Sequence, residues 1–191
     1  MTETTRGTVD IGHTRLGFEK TGSGPNLLFI HGWPLNSTMW WSQINGLESI
    51  ARLIAPDLRG FGQSPTTPDK HDIGRYADDL FELLQALGHR EPVVLCGMSM
   101  GGYVAFEFYR RYPEMVRGLI LTATRAKPDD AAGKQNRNDA VQRVREHGVN
   151  SITSTLPRKL LATSHVQRSS PLPQPGRTPG QSPDQSLYSH H

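Results

Sequence analysis

The stretch Pro92-Val93-Val94-Leu95-Cys96-Gly97-Met98-Ser99-Met100-Gly101-Gly102-Tyr103-Val104-Ala105-Phe106-Glu107-Phe108-Tyr109 decides the fold. Its first five residues form a short apolar run with β-branched side chains, as a buried strand needs. From Gly102 onward the pattern reads as helix. G-x-S-x-G therefore sits between a strand and a helix, the context that gives this motif its meaning. A serine at such a turn is forced into a strained backbone conformation with its hydroxyl pointing out. A Cβ in place of Gly97 or Gly101 would collide with the neighbouring strand or helix. The helix begins at the serine, so its positive end faces any negative charge that forms there. These are the parts of a nucleophile elbow, with Ser99 as the candidate nucleophile.

Upstream, Thr8 to Ile11 and Arg15 to Lys20 read as two short strands turning at Gly12-His13. After the breaker-rich Thr21-Gly22-Ser23-Gly24-Pro25, the continuous apolar run Asn26 to Ile30 predicts a strand covered on both faces. It ends in His31-Gly32-Trp33-Pro34. Asn36 or Ser37 can cap a short helix carrying Met39, Trp40, Ile44 and Leu47. Arg52 to Ala55 is the next strand, and a loop follows through Pro56 to Ser64, lengthened by Pro65 and Pro68. Asp72 caps a helix whose Tyr76, Leu80, Leu83, Leu84 and Leu87 recur at helical spacing, and Gly88 ends it. Downstream, Tyr112-Pro113 closes the helix after Ser99, and Val116 to Leu121 is a further strand. Strands alternate with helices from Leu27 on, which predicts an α/β fold: a mostly parallel sheet with helices on both faces.

After Thr122 the character changes. A strongly charged segment contains a predicted helix from Ala131 to His147 with Ala140, Val141 and Val144 on one side and a solvated opposite face. Leu156-Pro157-Arg158-Lys159-Leu160-Leu161 is a short apolar return. The 28 residues from Ser164 hold five of the 14 prolines, six serines and four glutamines. That composition offers too little apolar surface to offset the entropy of ordering it, so a disordered tail is expected. The resulting domain reading is a core over 1–124, a partial helical cap over 125–163 and a tail over 164–191.

Composition narrows the function. The 191 residues suffice for one α/β domain, and the tail accounts for a low mean hydropathy of -0.52. A net charge of +3, spread along the chain, gives no ground for a nucleic-acid partner. The single cysteine, Cys96, lies in an apolar run and reads as a packed core thiol. No apolar segment follows the N-terminus and no run is long enough to span a bilayer, so no membrane partner and a cytoplasmic location are expected. No phosphate loop and no usable spacing of metal ligands appears, so neither cofactor nor metal is expected. The sequence leaves the oligomeric state open.

A serine hydroxyl needs a base, an orienting carboxylate and donors for the oxyanion that forms. The backbone N–H of Met100 is one such donor by its place in the elbow. A second is expected from the loop after the strand ending at His31-Gly32, where the Trp33 N–H is well placed. His31-Gly32-Trp33-Pro34, Asp57-x-Arg59-Gly60-x-Gly62-x-Ser64 and Gly97-x-Ser99-Met100-Gly101-Gly102, in that order and spacing, resemble the α/β-hydrolase superfamily. The resemblance covers residues 7 to 163 and points to the branch of small cytosolic esterases similar to 3-oxoadipate enol-lactonase. Thr124-Arg125-Ala126 and Arg145-Glu146-His147-Gly148-Val149 are similar to that branch too. It implies an α/β-hydrolase fold, a small ester or lactone substrate and an acyl-enzyme on Ser99. It also implies a mainly structural role for the Asp57 to Ser64 loop, and a helical cap over the elbow. Relatives with the same elbow that carry out cofactor-free haloperoxidase or perhydrolase chemistry are the alternative, as is a non-catalytic hydrolase remnant.

The family's acid follows a seventh strand and its histidine an eighth, and neither strand is legible here. The acids after Ser99 include Glu107, Glu114, Asp129, Asp130, Asp139, Glu146 and Asp184, and the bases are His147, His165, His190 and His191. None carries a triad role by position, so the triad acid and base remain unassigned. The abrupt change near residue 163 leads to the expectation of a truncated or frame-shifted hydrolase, inactive or weak as it stands. Its strand Val116 to Leu121 would be a sheet edge prone to pairing and poor solubility. Translating the downstream DNA in the other two frames tests this. An apolar strand followed by Asp, and a later one followed by His, are expected, and the absence of both contradicts it.

Overall fold

The computed structural model describes residues 4–148 and 150–153. The chain divides into two compact units, between Gly133 and Lys134. The first holds one six-stranded sheet of order β1-β2-β4-β3-β5-β6. The strands are β1 (Thr5–Asp10), β2 (Arg15–Thr21), β3 (Asn26–Ile30), β4 (Arg52–Pro56), β5 (Val93–Met98) and β6 (Val116–Thr122). β1 and β2 form an antiparallel hairpin, and β2 pairs antiparallel with β4. β4, β3, β5 and β6 are parallel to one another. Every expected strand is present. β1 differs in its bounds because the ladder with β2 runs from Thr5↔Lys20 to Asp10↔Arg15. Ile11 leaves that ladder, and its N–H closes the turn onto Thr14 O at 2.9 Å.

The sheet is covered on both faces. On one side α2 (Ile73–Ala86) and α3 (Met100–Arg111) lie against it. Tyr76, Ala77, Leu80, Leu83 and Leu84 of α2 and Val104, Ala105 and Phe108 of α3 are buried with Leu28, Ile30, Ile54, Val93 and Leu95. On the other side a 3-10 turn (Ser37–Trp40) and α1 (Trp41–Leu47) bury Trp40 and Ile44 with Phe29, Leu53, Ala55 and Cys96. Trp40 stacks on Phe29 with ring centroids 4.8 Å apart. Burial pushes the Cys96 thiol up to about 11, which makes it an unreactive core residue.

The helix ends follow local chemistry. Asn36 Oδ1 accepts from Thr38 N–H at 3.0 Å, and Asp72 Oδ1 accepts from Arg75 N–H at 2.9 Å. α2 closes with His89 N–H on Leu84 O and Gly88 N–H on Gln85 O, the paired bonds of a Schellman ending. α2 and α3 are joined at one end by Arg111, which bonds both Asp78 and Glu107. Tyr112 adds to that junction: its hydroxyl donates to Asp78 at 2.8 Å and its ring stacks on Phe81. Arg110 and Arg111 hold the Glu107 carboxyl down to about 2.

β6 lies at the sheet edge among the described residues, with Ile120 47% and Leu121 42% exposed. The division between the units falls within the first turn of α4 (Ala131–His147), which follows the expected bounds; it buries none of its side chains, and Val141 is exposed. A four-residue helix α5 (Asn150–Thr153) follows. The expected apolar return Leu156 to Leu161 and the expected tail from Ser164 lie outside the described residues.

One charged pair sits inside the first unit. The Arg59 side chain is fully buried, and its Nε donates to Asp79 Oδ2 at 2.8 Å and its Nη2 to Asp79 Oδ1 at 2.5 Å. His13, Thr67 and the exposed Asp69, whose Oδ2 lies 3.4 Å from Nη1, complete the ring around the guanidinium. Asp79 falls on the apolar stripe of α2, so Arg59 ties the loop after β4 to that helix. The hydrogen bonds to Asp79 hold the Arg59 guanidinium above its ordinary value. Removing Asp79 leaves the buried guanidinium only the longer contact to exposed Asp69, so Asp79→Ala is expected to cost about 3 kcal/mol in urea unfolding. The double variant Arg59→Met/Asp79→Leu recovers most of that loss. A single variant as stable as the wild type contradicts this reading.

Candidate active site at the strand-to-helix corner

β5 ends at Met98 and α3 begins at Met100, leaving Ser99 alone at the corner with φ 53° and ψ −113°. A non-glycine residue at positive φ costs about 1–3 kcal/mol and persists only where its surroundings over-determine it. Here they do. Ser99 N–H donates to Thr122 O at 3.0 Å, and Ser99 C=O accepts from Gly102 N–H at 3.0 Å and from Thr124 Oγ1 at 2.8 Å. The serine is half-buried rather than packed into the core. Among the described residues nothing hydrogen-bonds its Oγ.

The elbow glycines are required by close approach. A Cβ built on Gly97 lies 2.8 Å from Gly102 Cα and against the Gly101 carbonyl. One on Gly101 lies 2.8 Å from His31 O and nearer still to Ile30 O. The first turn of α3 thus rests directly on the end of β3. The loop after β3 in turn runs beside the serine: a Cβ built on Gly32 lies 3.2 Å from Ser99 Cβ and 3.0 Å from Met98 O. Trp33 follows, 45% exposed and joined to Pro34 by a cis peptide. Its N–H meets no acceptor among the described residues. The fold therefore brings Gly32 beside Ser99, with Met100 next to the serine in the chain and Trp33 next to the glycine.

His31 is fully buried and fixed at both nitrogens. Nε2 accepts from Leu58 N–H at 2.9 Å, which leaves Nδ1 to donate to Gly32 O at 3.1 Å. This is a neutral ring stapling the loop after β3 to the loop after β4. Burial lowers its pKa, against opposing pulls from the Gly32 carbonyl and from Asp57. Asp57 is buried with both carboxylate oxygens spent on backbone amides, Ser37 N–H and Gln63 N–H, each at 2.8 Å. Ser64 Oγ donates to Asp57 O and accepts from Gly17 N–H. The expected structural role of the Asp57 to Ser64 loop thus has a physical basis.

No described residue takes the place of acid or base beside Ser99. Glu107 is tied to Arg110 and Arg111, and Glu114 is exposed. Asp129 pairs with Arg125, and Asp130 accepts from Gly133 N–H at the start of α4. In the second unit, Asp139 and Glu146 bond Gln135 and Gln142 along α4, and His147 is exposed. Asp184, His165, His190 and His191 lie outside the described residues. Among the described residues no cluster of metal-ligating side chains forms, and no helix is long and apolar enough to cross a membrane. Sequence reasoning missed Thr122 and Thr124 as partners of Ser99. Their contacts arise from the register Met98↔Thr122 between β5 and β6, which no local pattern reveals.

The family model for the alpha/beta hydrolase fold matches residues 25–183, and the chain belongs to that family. A thermophilic esterase from Thermogutta terrifontis superposes with a TM-score of 0.78 at 40% identity, covering 86% of this chain and 62% of that one. An N-acyl homoserine lactonase, AidH, solved with N-hexanoyl homoserine, gives 0.60 at 32% identity over 64% of this chain and 46% of its own. The pimeloyl-[acyl-carrier protein] methyl ester esterase of Pseudoalteromonas atlantica is 36% identical over 116 residues, 60% of this chain and 43% of that protein. The chain spans between 32% and 44% of the length of the curated relatives it matches.

The His31 staple has a pH signature. Because its folded pKa is depressed, the unfolded chain binds a proton first as pH falls below about 6.5. The His31 contribution to stability is whole above that value and is lost as pH drops toward the folded pKa. His89, lowered chiefly by burial and next by Lys20 and Arg52, adds to the same slope. The urea midpoint is expected to fall between about pH 7.5 and about pH 5.5, and His31→Gln to flatten the fall. An equal midpoint at both pH values contradicts the buried neutral ring.

Proposed function

We propose that Ser99 is the nucleophile of a hydrolase that opens carboxylic esters or lactones through an acyl-enzyme. The observation that carries this reading is the strained Ser99 backbone at a strand-to-helix corner, its side chain half-buried beside the Gly32-Trp33 loop. Packing sets the positive φ of this corner, but glycine would hold that conformation without strain, so packing alone does not call for a serine there. The esterase and lactonase names among the similar proteins support the same substrate class.

In this reading Ser99 Oγ attacks the acyl carbon as its proton passes to a base. The carbonyl π pair moves onto oxygen, and the oxyanion lies between the N–H groups of Trp33 and Met100 at the positive end of α3. Collapse re-forms the carbonyl and expels the alcohol, or the ring oxygen of a lactone, which takes up the proton. Water then repeats the sequence on the acyl-serine. The described residues supply the nucleophile, the donors and the helix end, but no base. An oxyanion site acting without a base retains about 10³–10⁴-fold catalysis over water, which is the level the described residues supply by themselves.

Incubation with a fluorophosphonate probe followed by peptide mass spectrometry tests the assignment. A mass increase on the Ser99 peptide, absent in Ser99→Ala, is expected, together with slow hydrolysis of an activated aryl ester that Ser99→Ala abolishes. Equal ester hydrolysis in the two proteins removes Ser99 from the mechanism.

A further inference from the structure

We infer that Thr124 is a positioning residue that aims the Met100 N–H at the oxyanion, an inference that rests on the nucleophile reading of Ser99. The geometry of one peptide group sets this role. The Ser99 carbonyl and the Met100 N–H belong to the same planar trans amide, so they point in opposite directions and turn together. Whatever fixes the carbonyl fixes the N–H.

The Ser99 carbonyl has two donors. Gly102 N–H, at 3.0 Å, belongs to the opening turn of α3 itself. The other, Thr124 Oγ1 at 2.8 Å, comes from beyond the end of β6, 25 residues away in sequence. It is the only side-chain group among the described residues that bonds this amide. The chain is shaped to deliver it. Ala123 has φ 47°, a left-handed conformation that a Cβ-bearing residue seldom adopts, and it turns the chain at the end of β6 so that Thr124 meets Ser99. Thr124 also lies flat on α3, since a Cβ built on Gly102 would sit 2.6 Å from Thr124 Cβ. Of the two non-glycine residues with positive φ among the described residues, Ser99 accepts this bond and Ala123 immediately precedes its donor.

The bond also acts on charge. A carbonyl that accepts hydrogen bonds polarises its own amide, which makes the N–H on the far side a stronger donor. Thr124 therefore contributes direction and donor strength to Met100 while remaining on the opposite side of the amide from the substrate.

The test compares Thr124→Val, which keeps the shape and loses the hydroxyl, with Thr124→Ser, which keeps the hydroxyl. The rate constant for fluorophosphonate labelling of Ser99 is measured well below the thermal midpoint of each protein. A roughly tenfold slower rate in Thr124→Val, with Thr124→Ser close to wild type, is expected. Equal rates in Thr124→Val and wild type overturn the inference, as does equal slowing in both variants, which assigns the effect to packing. The amide nitrogen resonance of Met100 gives a readout that needs no reactivity. It shifts in Thr124→Val and stays in place in Thr124→Ser if the hydroxyl governs that amide, and an unmoved resonance in Thr124→Val overturns the inference. A wild-type protein that never labels at Ser99 sinks the nucleophile reading, and the resonance then decides the role of Thr124 separately.

Discussion

The contact on which the rest depends is that of two backbones: the first turn of α3 against the last residues of β3. Gly101 meets the Ile30 and His31 carbonyls where a side chain would have no room. That contact forces the chain between β5 and α3 into a corner too tight for ordinary dihedrals, and the residue at the corner absorbs the strain. Ser99 is therefore strained for a reason outside itself. The same approach brings the loop after β3 alongside, so that Gly32 comes to lie near the Ser99 side chain. A parallel order with β5 between β3 and β6 is what makes this possible, because both neighbours end on the same side of the sheet.

The surroundings of the corner are held by buried polar groups rather than by apolar packing alone. His31 ties the loop after β3 to that after β4, Asp57 spends both oxygens on backbone amides, and Ser64 reaches Gly17 at the start of β2. Arg59 extends the chain of contacts to α2 through Asp79. Each link is specific in direction, unlike a methyl contact, and the penalty for leaving any of these groups unpaired keeps the loops in one arrangement. Rigid loops are what an oxyanion site requires, because its donors act only if they are already aimed.

Much of this was legible in the residues. Runs of apolar residues placed the strands, and Asp72 and Gly88 marked both ends of α2. The glycines around Ser99 announced a close approach of backbones. What remained hidden depended on register. Thr124 bonds Ser99 because β6 pairs with β5 in one particular alignment, and the chain then turns at an alanine, which carries no turn signal. Asp79 offered a faint hint as a charge on an apolar stripe, but its partner lies 20 residues away in a loop whose path periodicity does not predict. The acid and base could not be read, because the triad order places them after later strands, and among the described residues no strand follows β6.

The central claim is that Ser99 and two backbone amides form one site. A crystal structure of the protein phosphonylated by an aryl phosphonate tests it most directly, because the phosphonyl oxygen stands where the oxyanion forms. Phosphorus bonded to Ser99 Oγ is expected, with that oxygen within about 3 Å of both the Trp33 and Met100 nitrogens. Phosphorus on another residue, or an oxygen turned to solvent away from both amides, would contradict it.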